Sequence, residues 1–285
     1  MKIYSYMLLC GAALLSACSN DNEPAAPAGK TEISLECLMP TQSRATDLAF
    51  ENGDQIGLYV TPAGSTLQLG GNTLNNQDFS FDGNTWTAAR KTYWDAGTYD
   101  VYAYYPYAAT VNDIEDYTFE MVADQSTHAG YTAADFMWAK SAGVTASANV
   151  VKLRFSHCMS KVIVKLEKSD DYEGELPTDC EVFIHSTAAT ASIDLASGSV
   201  SSDSYSGTTT IKALKNSNTE YQAIVVPQNI ESRRPLVEVV TGGVSYLMEG
   251  KISFKQGYQH TLVVTLTKNP EQTMIDIGGS IGGWN

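Results

Sequence analysis

The chain has 285 residues, and its acidic side chains outnumber the basic ones by 14. No run of Lys or Arg offsets that charge, which excludes nucleic acid and anionic lipid surfaces as electrostatic partners. An apolar share of 43% is that of an ordinary globular protein and excludes general disorder.

The first stretch carries Lys2, an apolar run from Met7 to Leu15, and the small residues Ser16 and Ala17 ahead of Cys18. This is the build of an export signal over residues 1–17, too short to span a bilayer as a helix. LSAC resembles the lipobox of bacterial lipoproteins, which makes Cys18 the expected acylated residue. The alternative is an ordinary secretory leader in which Cys18 is accidental. Residues 18–30 read as a flexible polar tether. No later segment is apolar for long enough to cross a membrane as a helix, so the lipid is the expected anchor.

In TEISLECLMPTQSR, residues 31–44, Ile33, Leu35, Cys37 and Met39 alternate with Glu32, Ser34, Glu36 and Leu38. That period predicts a strand with one wholly apolar face. A turn at Asn52-Gly53-Asp54 precedes a strand over Gln55–Val60, and residues 61–76 read as a Gly- and Asn-rich loop. Phe79 and Phe81, the Asp82-Gly83-Asn84 turn and Trp86 predict a hairpin. In TYDVYAYY, Tyr99, Val101, Ala103 and Tyr105 take one face and Tyr102 and Tyr104 the other. Pro106 then stops the run. Aromatics on both faces suit a strand packed on one side and partly covered on the other. With Trp94 they also suit a sugar platform, so Trp94, Tyr102 and Tyr104 are candidate glycan contacts.

Residues 124–140 read as a loop with one short helical turn. Residues 139–149 are small and polar and mark a boundary between domains at 31–145 and 146–285. Beyond it, Val151, Leu153, Phe155, His157 and Met159 share a face. The phase then shifts to Val162, Val164 and Leu166, with Lys161, Lys165 and Glu167 expected outside. A bulge or break near Ser160 follows from that shift. Further strands are expected around Cys180–His185, Ala191–Leu195, Tyr221–Val226, Leu236–Val240, Val244–Met248 and Tyr258–Leu266, with a serine-rich hairpin or loop over residues 197–212. Short strands with no long amphipathic helix predict an all-β protein, two sandwiches in series. The Gly-rich tail EQTMIDIGGSIGGWN is either the last strand of its own domain or a strand for another subunit's edge.

No reaction centre assembles. His128, His157, His185 and His260 lack metal spacing, and His157 and His260 fall on apolar strand faces as core histidines. Cys37, Cys158 and Cys180 form neither a disulfide framework nor a metal set, and the sequence leaves one bridge among them open. The acidic loop with Asp170, Asp171, Glu173 and Glu175 lacks calcium-loop spacing and reads as solvated. GGSIG lacks the following helix that a nucleophile elbow needs. No enzyme, metal or cofactor is expected. A mechanism remains in strand exchange. Cutting after Arg44, ahead of Ala45, would remove the lipid anchor and the first strand together, and a second subunit's strand could fill the groove.

Taken in order, LLSAC, SRATDLAFENGDQIGLYV, TYWDAGTYDVYAYYPY, DFMWAK, VKLRFSHCMSKVIVKL and IDIGGSIGGWN resemble the fimbrillin-type, Mfa-like lipoproteins of the Bacteroidetes. The resemblance implies two transthyretin-like β-sandwich domains in tandem and an outer-membrane lipoprotein precursor of a fimbria (pilus). It further implies lipidation at Cys18, maturation at Arg44-Ala45 by an arginine-specific or trypsin-like protease, and a donor strand near residues 271–285. The implied partners are other fimbrial subunits and, for adhesion, a host or bacterial surface glycan or protein. Anchor and tip subunits of such families do not all polymerise, so a tip or anchor role is the alternative, with a glycan-binding surface lipoprotein as another.

Overall fold

Apolar residues recurring at a period of two, with Gly, Asn and Asp at the turns, fold the chain as strands almost throughout. A computed structural model describes residues 29–40, 49–147, 149–202 and 207–284. The first half contains β1 (Leu35–Leu38), β2 (Gln55–Pro62), β3 (Leu74–Phe81), β4 (Trp86–Ala88), β5 (Thr98–Tyr105) and β6 (Tyr117–Glu120). A short helix, α1 (His128–Ala133), is followed by β7 (Met137–Thr145), β8 (Val151–Arg154) and β9 (Ser156–His157). The second half contains β10 (Ser160–Lys168), β11 (Glu181–Ala188), β12 (Thr190–Asp194), β13 (Ser199–Ser202), β14 (Thr208–Lys212) and β15 (Leu214–Lys215). It continues with β16 (Glu220–Val225), β17 (Gln228–Thr241), β18 (Val244–Phe254), β19 (Tyr258–Leu266) and β20 (Met274–Gly283).

The architecture is all-β and sandwich-like. In the first half a six-stranded antiparallel sheet, β4-β3-β2-β5-β7-β9, faces the parallel pair β1-β8. Ile56, Leu58, Val60, Val101 and Ala103 meet Ile33, Leu35, Val151, Leu153 and Phe155 in one core. In the second half the sheets β15-β16-β10-β19-β20 and β14-β11-β17-β18 enclose the other core. A small sheet, β13-β12-β6, pairs a strand of the first half with one of the second. Gln125 adds a buried tie, exchanging two hydrogen bonds with the backbone of Ile224 at 2.7 and 2.8 Å.

Strand β5 is buried on both faces. Tyr99, Val101, Ala103 and Tyr105 point into the first core, while Tyr102 and Tyr104 belong to the cluster holding Phe119 and Phe136. The Tyr104 hydroxyl donates to Asn76 Oδ1 at 2.7 Å and lies 3.1 Å from the Ala108 carbonyl oxygen, and burial pushes its pKa up.

Several sequence expectations change. Residues 139–145, part of the stretch read as a boundary, form most of β7, paired with β5 along its length. Their small side chains conceal the strand because they leave no apolar alternation to read. Strands β8 and β9 hydrogen-bond to β1 and β7, both in the first half. The loop over residues 61–76 ends early, with β3 starting at Leu74. The serine-rich stretch is not a hairpin, since β13 pairs with β12 and β14 with β11. The expected break falls at Cys158 and Met159, between β9 and β10. Lys161, expected outside, is 3% exposed, because the tail closes over it.

Candidate functional site

The first strand fills a groove. The Ile33 N–H donates to the Thr92 carbonyl at 3.0 Å, and the Trp94 N–H donates to the Thr31 carbonyl at 2.8 Å. On the other edge the Val151 N–H reaches the Ser34 carbonyl and the Phe155 N–H the Leu38 carbonyl, both at 2.9 Å. Between these bonds β1 runs parallel to β8, Leu35 opposite Val151 through Leu38 opposite Arg154. Ile33 and Leu35 are buried, and Cys37 and Met39 pack half-buried on the same core. This is the apolar face that the alternation predicts.

Charge contributes little to the hold. Glu36 pairs with Lys152 at 3.3 Å and Glu32 with Lys91 at 4.0 Å, all on the surface, where such pairs stabilise by about 0–1 kcal/mol. The strand is therefore held by apolar burial and backbone pairing. Without it, the Val151 and Phe155 amides on one side and the Thr92 carbonyl and Trp94 amide on the other lose their partners, and the core beneath is exposed. Another strand can satisfy all of them at once.

A small cavity lies where the strand ends. Met39, Phe50, Tyr105, Tyr131, Asp135 and Met137 are among its lining residues. Ala49 and Glu51, at the start of the next described stretch, line it too. Arg44 and Ala45, like Cys18, lie outside the described residues.

The tail forms β20, the outermost strand of its own sheet, antiparallel to β19 from Thr265–Met274 to Tyr258–Gly283. A register shift between Thr261 and Val263 marks an irregularity in that pairing. Beyond the strand, Trp284 is 1% exposed, and its N–H donates to the Gly257 carbonyl at 2.8 Å. That bond is made by the backbone N–H; the indole itself stacks on the His157 imidazole, centroids 3.7 Å apart and planes at 3°. His157 Nδ1 is 2.8 Å from Asp135 Oδ2, and Lys161 Nζ stands 5.8 Å from the indole centroid.

His260, opposite Ile281 of β20, is buried, and its Nε2 accepts the Lys255 N–H at 3.1 Å. Burial, and then the Lys255 ammonium, hold its pKa below the ordinary 6.5. The unfolded chain therefore takes up the proton first, and stability falls as pH drops below about 6.5 towards the lower folded value. H260Q is expected to flatten that acid limb, as read by urea unfolding between about pH 7.5 and pH 5.

Both core-histidine expectations agree with these positions. The glycan candidates do not lie on the surface: Trp94, Tyr102 and Tyr104 are 3%, 5% and 1% exposed. A ring that stacks on sugar must offer a face to solvent, and these three rings are spent on the cores. Cys37, Cys158 and Cys180 are separate thiols, each with its pKa pushed up by burial. Among the described residues no cluster of three or more His, Cys, Asp or Glu could hold a metal ion.

Fold and groove together define a class: an all-β, sandwich-like protein whose first strand packs on the core of its first half. The fimbrillin-like family profile matches residues 43–284, and the chain belongs to that family. It is 30% identical over 149 residues to a candidate fimbrium tip subunit, Fim1C, of Bacteroides ovatus, a match spanning 47% of this chain and 27% of that protein. It is 24% identical to a candidate fimbrium subunit Fim1C of Bacteroides uniformis, over 97% of this chain and 93% of that one. The solved structure of a candidate cell adhesion protein from Bacteroides uniformis matches with TM-score 0.69 at 18% identity, covering 91% of this chain and all 100% of that one. A fimbrial protein from Bacteroides ovatus matches with TM-score 0.55 at 20% identity, over 84% and 50% of the two chains. These relatives carry fimbrial and adhesion names, not enzyme names.

Proposed function

We propose that this chain is a structural or adhesive subunit of a cell-surface fimbria, built as two transthyretin-like β-sandwich domains in tandem. The first domain of this reading extends past residue 145, which the pairing of β8 with β1 and of β9 with β7 supports. The precursor is exported, acylated at Cys18 and held at the outer membrane. An arginine-specific or trypsin-like protease cuts the Arg44-Ala45 bond, residues 31–44 leave, and a strand from another subunit enters the groove. The tail near residues 271–285 is the donor to the next subunit.

The observation that supports this most is the hold on the first strand, which is bonded along both edges and buried on one face without a covalent or strong ionic tie. A second reading, a tip subunit that accepts a strand but donates none, draws on the tail's seat in its own sheet and on the tip name of one relative. Recovery of the protein from cell-surface fibres tests the maturation step. The mass and first residue should place the mature start at Ala45, and R44A should stay uncut and lipid-held. A mature form that retains residues 31–44 within fibres would overturn the cut-and-exchange reading.

A further inference from the structure

The hold on the tail is uneven. Strand β20 has glycines at 278, 279, 282 and 283, which contribute no side-chain packing. Met274 and Ile281 are 60% and 57% exposed. Ile275 and Ile277 are only partly buried, the latter over Gly250 of β18. The strand is an outer one, with β19 as its pairing partner. Burial then concentrates at the far end, in Trp284, which is enclosed against His157 of the first-half sheet and Lys161 of β10.

We propose that Trp284 is a latch that keeps β20 in its own sheet, and that withdrawal of its indole from the cradle of His157 and Lys161 frees the strand for transfer. The proposal rests on the strand-exchange reading for its use but not for its test. Tyr131 and Asp135 stand behind the two side chains that touch the indole: Lys161 Nζ is also 5.9 Å from the Tyr131 ring, and Asp135 pairs with His157. Both residues line the cavity that Met39 of the first strand also lines. Departure of the first strand would remove one wall of that cavity and loosen the cradle. Groove opening and tail release are thereby coupled in one molecule.

Hydrogen exchange by mass spectrometry on the uncut, full-length protein tests the latch. In W284A, exchange across residues 274–283 is expected to rise at least ten-fold while β10 stays protected. W284F, which keeps a ring on His157, should change it less than three-fold, and I281S, at an exposed site of the same strand, should leave it unchanged. Unaltered exchange of β20 in W284A would overturn the latch, as would an I281S effect as large as that of W284A. Should W284A unfold the whole chain, W284L, which fills the cradle without the aromatic stack, decides by the same comparison of β20 with β10. The readout is taken before any cut, so a protein that fails to assemble after cleavage leaves this result standing, and the reverse holds too.

Discussion

Loss of residues 31–44 from the folded protein is expected to lower the midpoint of thermal unfolding by roughly 10–20 °C. Ile33 and Leu35 lie within the first core at 4% and 8% exposure. Each such side chain stabilises by about 1.5–3 kcal/mol when buried, so the pair accounts for about 3–6 kcal/mol before backbone pairing is counted. Whole domains have about 5–15 kcal/mol in total. A cut monomer would therefore be marginal, and on the proposed function its open groove would accept another strand. A calorimetric scan at low protein concentration measures the drop, and a synthetic peptide of residues 31–40 added in excess should restore most of it. An unchanged midpoint would mean that the strand contributes nothing to the fold.

The second large effect concerns Gly57, in the middle of β2. A Cβ there would lie 2.2 Å from Cε1 of Tyr104 and 2.7 Å from Asn76 Oδ1. Tyr104 cannot swing aside, because its hydroxyl is engaged by Asn76 and Ala108 and its ring stacks on Phe136 at 5.9 Å. G57A is expected to destabilise by about 3 kcal/mol, the upper end for overpacking in a well-ordered core. Y104F, which removes the hydroxyl but not the ring, should cost about 1–2 kcal/mol. Urea unfolding of these variants, of Y104A and of G57A/Y104A gives the check, the double variant losing less than the sum of the G57A and Y104A losses because the truncated ring makes room. Additive losses would place the strain elsewhere.

Both effects trace to features of unequal legibility in the sequence. The alternation of Ile33 and Leu35 with Glu32, Ser34 and Glu36 shows the buried face directly, because a strand's period survives in the residues themselves. Strand β7 does not show, since Ala139, Ser141, Ala142 and Gly143 present no alternation. It is placed by pairing with β5, a long-range fact. The two faces of β5 are visible in Tyr99, Val101, Tyr102 and Tyr104, but not what covers Tyr104, which comes from Tyr117 of β6 and Phe136 after α1. Hence a sugar platform and a doubly covered strand looked alike.

The latch was less legible still. Lys161 sits at a polar position of an apolar run and reads as a solvated lysine, yet the tail closes over it. Trp284 and His157 are far apart in the chain, and only the return of β20 alongside β19 stacks them. One signal was available: a tryptophan beyond a Gly-rich strand needs a host, because a glycine strand has little else to hold it. The cut site and the acylated cysteine rest on the motif around Arg44 and the leader ending at Cys18, which the fold neither requires nor opposes.

The central claim is that the first strand is a temporary filler whose place is taken by another subunit. The most direct measurement is unheated denaturing electrophoresis of the purified precursor before and after limited trypsin treatment, with the mass of each band determined. The account predicts a single monomer band before the cut and, afterwards, a ladder of multimers built from chains beginning at Ala45. A single monomer band after complete removal of residues 31–44, with the fold intact by circular dichroism, would contradict it.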